Sequence, residues 1–99
     1  MQTHIILSPG TFHSSTISQT VSSLQVPGTD VVGVIITIDS ADIRMRADGT
    51  DPVGGNGGGL KMTSGSVWEI EGREWIVNAK FIRDSTSDAV INVHEIVGE

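Results

Sequence analysis

Val31-Val32-Gly33-Val34-Ile35-Ile36-Thr37-Ile38 decides the fold of this 99-residue chain. Side chains of an extended backbone alternate between faces, so Val32, Val34, Ile36 and Ile38 line one face while Val31 and Ile35 occupy the other. A strand apolar on both faces belongs in the interior of a sheet, and β-branched side chains fit its pleated surface. The expectation is a central strand over 31–38.

Toward the C-terminus, Asp42 to Ala47 alternates cleanly, with Ile43, Met45 and Ala47 on one face and Asp42, Arg44 and Arg46 on the other. One face therefore packs inward, and the charged one is wet or meets a partner. The loop Asp48-Gly49-Thr50-Asp51-Pro52-Val53-Gly54-Gly55-Asn56-Gly57-Gly58-Gly59 follows, and its glycine run reads as a flexible loop tip. Leu60 to Met62 and Val67 to Glu71 read as short strands around a Thr63-Ser64-Gly65 turn, with Trp68 and Ile70 inward and Glu69 and Glu71 outward. After the Gly72-Arg73 turn, Glu74 to Arg83 reads as a strand with Trp75, Val77, Ala79 and Phe81 on one face. The turn Asp84-Ser85-Thr86-Ser87-Asp88 leads to a last strand, Ala89 to Val97, carrying Ile91 and Val93.

Toward the N-terminus, His4 to Leu7 reads as a strand ended by Ser8-Pro9-Gly10, and Gln19 to Val26 as one ended by Pro27-Gly28. Both have the character of edges or arms. Ile17, Val21 and Leu24 fit helical spacing, but the Ser, Thr and Gln around them favour an extended chain. Seven or eight strands at this spacing define one small all-β domain, a β-sandwich or jelly-roll-like fold. Residues 1–18 form an N-terminal arm or edge segment and 19–99 the sandwich.

Composition narrows the function classes. Twelve Asp and Glu against six Lys and Arg give a formal charge of −6, which disfavours nucleic acid and anionic membranes, both of which need clustered cations. No cysteine is present, so the fold needs neither disulfides nor thiolate metal sites and is compatible with a reducing cytoplasm. Met1 to Pro9 has no basic n-region, and its apolar run is too short for a signal peptide or a membrane span. The chain reads as soluble and unprocessed.

No catalytic or cofactor motif emerges. Gly54 to Lys61 fails as a phosphate loop, because Leu60 precedes Lys61 and a β-turn segment follows where a helix N-terminus would be needed. Asp39, Asp42, Asp48 and Asp51 offer oxygens to calcium without the EF-hand spacing, and Arg44 and Arg46 among them favour turn chemistry and salt bridges. His4, His13 and His94 lack a local zinc spacing, and no serine sits in an elbow motif. Glu69, Glu71 and Glu74 resemble a glycosidase cluster only in composition, with no apolar pocket around them. Trp68 and Trp75 would make a sugar-binding platform if exposed, but their inward strand positions favour core packing. The expectation is a non-enzymatic protein with no cofactor and no metal.

The segment Ile36-Thr37-Ile38-Asp39-Ser40-Ala41-Asp42-Ile43-Arg44-Met45-Arg46-Ala47-Asp48-Gly49-Thr50-Asp51-Pro52, with Gly65-Ser66-Val67-Trp68-Glu69-Ile70-Glu71-Gly72 and Ala79-Lys80-Phe81-Ile82-Arg83, resembles small structural proteins of tailed bacteriophages and prophages. The similarity spans roughly residues 19 to 96. Within that group an acidic β-sandwich of this size is most like the capsid decoration, or cement, proteins. The resemblance implies a protein made in the bacterial host cytoplasm and located on the capsid surface of the virion, often as a trimer, with the major capsid protein as partner. The contact candidates are Arg44 and Arg46 on the charged strand face and Arg73 at a turn. The alternative is a tail, head-to-tail or host-adhesion module, the last with exposed aromatics that hold a glycan.

Overall fold

The computed structural model describes residues 7–24 and 30–98. Eight strands and one short helix follow in order: β1 (Leu7–Ile17), β2 (Ser22–Ser23), β3 (Val31–Asp39), β4 (Ile43–Arg46), β5 (Leu60–Met62), β6 (Val67–Glu71), α1 (Arg73–Asn78), β7 (Lys80–Arg83) and β8 (Ala89–Gly98). The first sheet has the order β1-β8-β3-β6 and the second β2-β7-β4-β5. All pairing is antiparallel and nested: β1 with β8, β2 with β7, β3 with β6 and β4 with β5. Pairing of β3 with β8 and of β4 with β7 joins the halves of each sheet. That nesting is an eight-stranded jelly roll, one form of the expected β-sandwich.

The core lies between the sheets. Ile17, Ile36 and Ile91 from the first meet Ile43, Met62 and Phe81 from the second, all fully buried. As expected, β3 is interior to its sheet, between β8 and β6. Its two faces are not equivalent, however. The register shifts between Val31 and Gly33, so Val31 turns inward and Val32 outward. Val34, Ile36 and Ile38 face the core, whereas Val32 (40% exposed) and Ile35 (41%) stand on an outer face that nothing in the described chain covers.

Two further elements differ from the sequence reading. The strand read over 74–83 is α1 followed by β7. Gly72 at φ 99° turns the chain, the Ile76 N–H donates to the Gly72 carbonyl (3.1 Å), and the Ala79 N–H donates to that of Trp75 (2.9 Å). The short helix aims Ile76 into the core and leaves Trp75 and Val77 in solvent. Apolar residues at 75, 76, 77 and 79 satisfy both periods, and burial of Ile76, Ala79 and Phe81 together selects the helix-then-strand solution. At the other end, β1 runs through Ser8-Pro9-Gly10 instead of stopping there. An edge strand tolerates a proline because one side of its ladder is unpaired. Gly10 is needed by contact, since a Cβ there would lie 2.9 Å from the Glu95 Cβ.

Of the strand read from Gln19 onward, only Ser22–Ser23 forms one (β2), and the chain bends at Gln19 and Thr20 before it. His4 to Ile6 of the first expected strand and Gln25 to Val26 of the second lie outside the described residues. Thr63-Ser64-Gly65 does not join a hairpin. It carries the chain from β5 in the second sheet to β6 in the first, with Gly65 at φ 86°. Among the described residues no helix is long and apolar enough to cross a membrane.

The inequality of the β3 faces is directly testable. Ile36→Asp places an unpaired carboxylate in the core and should cost at least about 4 kcal/mol, enough to abolish a cooperative thermal transition. Ile35→Lys, one residue away but outward and opposite Glu69, should change stability by less than about 1 kcal/mol in the same melt.

Candidate functional site

Arg44 lies on the charged face of β4, as its alternation requires, but it is only 7% exposed. The expected wet face is covered here by the chain's own glycine loop. Arg44 Nε donates to Asp84 Oδ1 (2.6 Å), one terminal nitrogen donates to the Gly59 carbonyl (3.1 Å), and the other reaches Asn56 Oδ1 (3.4 Å). Asp84 Oδ1 also accepts the Gly55 N–H (3.1 Å), and Lys61 Nζ stands 3.9 Å from Asp84 Oδ2 and 3.6 Å from Asp42 Oδ2. The Arg44 hydrogen bond is the main cause that holds the Asp84 carboxyl below the usual carboxylate range, against the opposing effect of its desolvation.

The loop itself is tied, contrary to its reading as a flexible tip. The Val53 N–H donates to the Gly58 carbonyl (2.9 Å), and the Gly58 N–H to that of Gly55 (3.2 Å). Its glycines answer steric demands. A Cβ on Gly58 would fall 1.7 Å from the Val53 carbonyl oxygen, and one on Gly59, at φ 145°, would fall 2.8 Å from that of Met45.

The other two contact candidates sit elsewhere. Arg46 donates through Nε to Asp48 Oδ1 (3.0 Å), which also accepts the Thr50 N–H (3.3 Å). The hydrogen bonds from Arg46 are the main cause that brings Asp48 down to about 2. Arg73 opens α1 and is partly buried. Of the three arginines, Arg44 is enclosed, Arg46 is paired beside the loop, and Arg73 lies on α1.

The remaining candidates separate likewise. Asp51 pairs with Lys80 (3.0 Å), and Asp39 accepts from Asn92 (2.6 Å). His94 is tilted against Phe12, with centroids 6.0 Å apart, whereas His13 points toward the sandwich end, 3.7 Å from the buried Glu95 carboxylate. His4 lies outside the described residues. Among the described residues no three His, Asp or Glu converge on a metal position. Glu69 and Glu71 stand side by side on exposed β6, and the hydrogen bond and like charge from Glu71 raise the Glu69 carboxyl. Glu74 is apart from them on α1.

Two open surfaces were not foreseen. One is the outer face of the first sheet, where cross-strand neighbours Phe12, His94, Ile35 and Glu69 form a row. Beside it a cleft of about 280 Å³ is lined by Leu7, Val32, Gly33 and Ile96 together with Glu69 and Glu71, so these two carboxylates do border an apolar recess, contrary to the sequence expectation. The next row is polar: Ser14 donates to Asn92 Oδ1 (2.7 Å), and the Asn92 amide donates to Thr37 (3.1 Å). The other surface surrounds Trp75, which is 52% exposed, against the expectation that both tryptophans pack inward. Trp68 does pack against the core, its indole N–H donating to Ser66 Oγ (2.8 Å). Comparison with protein-family models, with curated proteins and with solved structures returns no match for this chain.

Two tests follow from the tied loop. Arg44→Met leaves the semi-buried Asp84 with only the Gly55 N–H and the more distant Lys61, and should cost about 2–3 kcal/mol near neutral pH by urea unfolding. Because the folded Asp84 pKa is lowered, its stabilisation is complete above the unfolded carboxylate value of about 4 and is lost as pH falls through the folded value. The gap between wild type and Arg44→Met should therefore narrow below about pH 4. In the loop, Gly58→Ala should cost more than about 2 kcal/mol through its clash, whereas Gly57→Ala, at φ 80° in open space, should cost about 1 kcal/mol.

Proposed function

We propose that this protein is a non-enzymatic structural component of a tailed-phage virion, attached to the outer surface of the capsid as a decoration protein. The observation that carries the reading is the uncovered apolar half of the first sheet's outer face, around Phe12, Val32, Ile35 and Ile96. A small domain that leaves apolar side chains of a central strand in solvent has a surface suited to burial against another protein. The jelly roll supplies a rigid frame for that face, and it is an architecture used by capsid and lectin domains alike, so the fold alone carries no function. The sequence resemblance to small phage structural proteins is the second support.

In this reading the partner is the major capsid protein, and copies of the chain associate, as a trimer, along open sheet edges. Edges are the natural sites, since β1 and β6 bound one sheet and β2 and β5 the other, each with no strand on its far side among the described residues. Arg73, which follows Gly72 at the cleft, serves as a rim contact, while Arg44 serves the fold and Arg46, on the second sheet, takes no part in this face. Symmetric repetition of modest contacts then gives avidity without a deep pocket.

The test is stoichiometry in purified virions by quantitative mass spectrometry. A copy number near that of the major capsid protein is expected. A few copies per particle would place the protein in the tail or portal region, and its absence would end the virion reading. Ile35→Lys combined with Phe12→Ser should leave the thermal midpoint nearly unchanged and release the protein from capsids; full retention would exclude this face.

A further inference from the structure

The two tryptophans have different fates, and that of Trp75 is the unusual one. A large aromatic side chain is normally drawn inward, yet α1 spends its single buried position on Ile76 and holds Trp75 outside. The indole borders a groove of about 540 Å³, within the range of small-ligand sites. Met45, Ala47 and Leu60 provide its apolar wall, and Arg46 and Asp48 its polar one. A smaller recess of about 110 Å³ is lined by Ala47, Trp75, Glu74 and Asn78. Trp75 and Ala47 line both recesses, which adjoin there.

This groove is held in shape. Its floor is β4, its glycine-loop side is fixed through Gly59 by the Arg44 guanidinium, and α1 is anchored by Ile76. A preformed site loses less entropy on binding than one that must order first.

The chemistry of the lining selects the ligand. Arg46 and Asp48 neutralise each other, with Asp48 further fixed by the Thr50 N–H, so the polar wall is charge-balanced. An anion would meet Asp48, Glu74 and a chain of net charge −6, and a cation would meet Arg46 in competition for Asp48. A purely aromatic ligand would leave the polar wall without partners. A pyranose ring satisfies both walls, because its C–H face stacks on an indole while its hydroxyls donate to a carboxylate and accept from a guanidinium. We propose that the Trp75 groove is a binding site for a neutral saccharide, with one sugar ring on the indole and its hydroxyls on the Arg46–Asp48 pair. It is separate from the outer face of the first sheet and independent of the capsid-attachment reading.

The test exploits the presence of only two tryptophans. In Trp68→Phe, fluorescence reports Trp75 alone. This protein is titrated with maltohexaose, cellohexaose, chitohexaose and mannohexaose, each to its solubility limit. At least one should shift the emission to the blue and protect it from acrylamide quenching, with a dissociation constant on the order of 1 mM or tighter. The same sugar, followed by calorimetry, should bind wild type, lose at least about tenfold in affinity to Trp75→Ala, which is about 1.4 kcal/mol, and regain part of it in Trp75→Phe. An Asp48→Asn variant should weaken binding without lowering the thermal midpoint appreciably. Absence of any response across the four sugars overturns the proposal, as does binding that Trp75→Ala leaves intact. Capsid attachment of Trp75→Ala is expected to equal wild type.

Discussion

Antiparallel pairing of β3 with β8, from Val31 opposite Val97 to Asp39 opposite Val90, is the constraint on which the molecule depends. These two strands occupy the middle of the first sheet, and each recruits one more: β8 holds β1, and β3 holds β6. Their inward side chains, Val34, Ile36 and Ile38 on one and Ile91 and Val93 on the other, make up much of that sheet's contribution to the core. The register that buries this set also fixes which residues are turned to water, since a strand has only two faces. The row of Phe12, His94, Ile35 and Glu69 is the reverse side of the core.

The second sheet is organised differently. Its strands are short, and its outer face is sealed at Arg44 by a loop from the same chain. The ion pair with Asp84 would be worth little on an open surface, but here both groups are mostly enclosed and each makes other hydrogen bonds. One guanidinium links β4, the loop and the turn after β7. That linkage also shapes the neighbouring groove, because Gly59, whose carbonyl it holds, lines the space beside Trp75.

Much of the architecture was legible in the sequence, and the failures are local and physical. β-Branched residues over 31–38 located a central strand, and alternation at 43–46 put Ile43 and Met45 inward and the arginines outward. A bulge between Val31 and Gly33 broke the alternation and sent Val32 outward, a shift that a strict period of two cannot register. The helix α1 was hidden because apolar residues at successive positions fit two periods at once. Arg44 was placed on the correct face, but its burial depends on Asp84, 40 residues away in a turn that reads as ordinary Ser, Thr and Asp chemistry. The glycine run held the signal for the tied loop, because Gly58 and Gly59 stand where backbone must approach backbone. Composition alone does not distinguish that demand from flexibility. Nor did a strand reading of Trp75 leave room for its exposure, which comes from α1.

Nested pairing has a consequence for how the chain acquires this structure. Apart from the β4–β5 hairpin, every pair joins segments separated by other strands, and topologies of this kind fold in milliseconds to seconds, not microseconds. The strand that completes the first sheet, β8, is made after all the others, although it sits between β1 and β3. Until β8 pairs, β1 has no strand neighbour among the described residues and β3 keeps only β6. The second sheet needs no such late strand, since β4, β5 and β7 are all available earlier. The first sheet therefore closes only when the last strand inserts between two earlier ones, whereas the second is built without it.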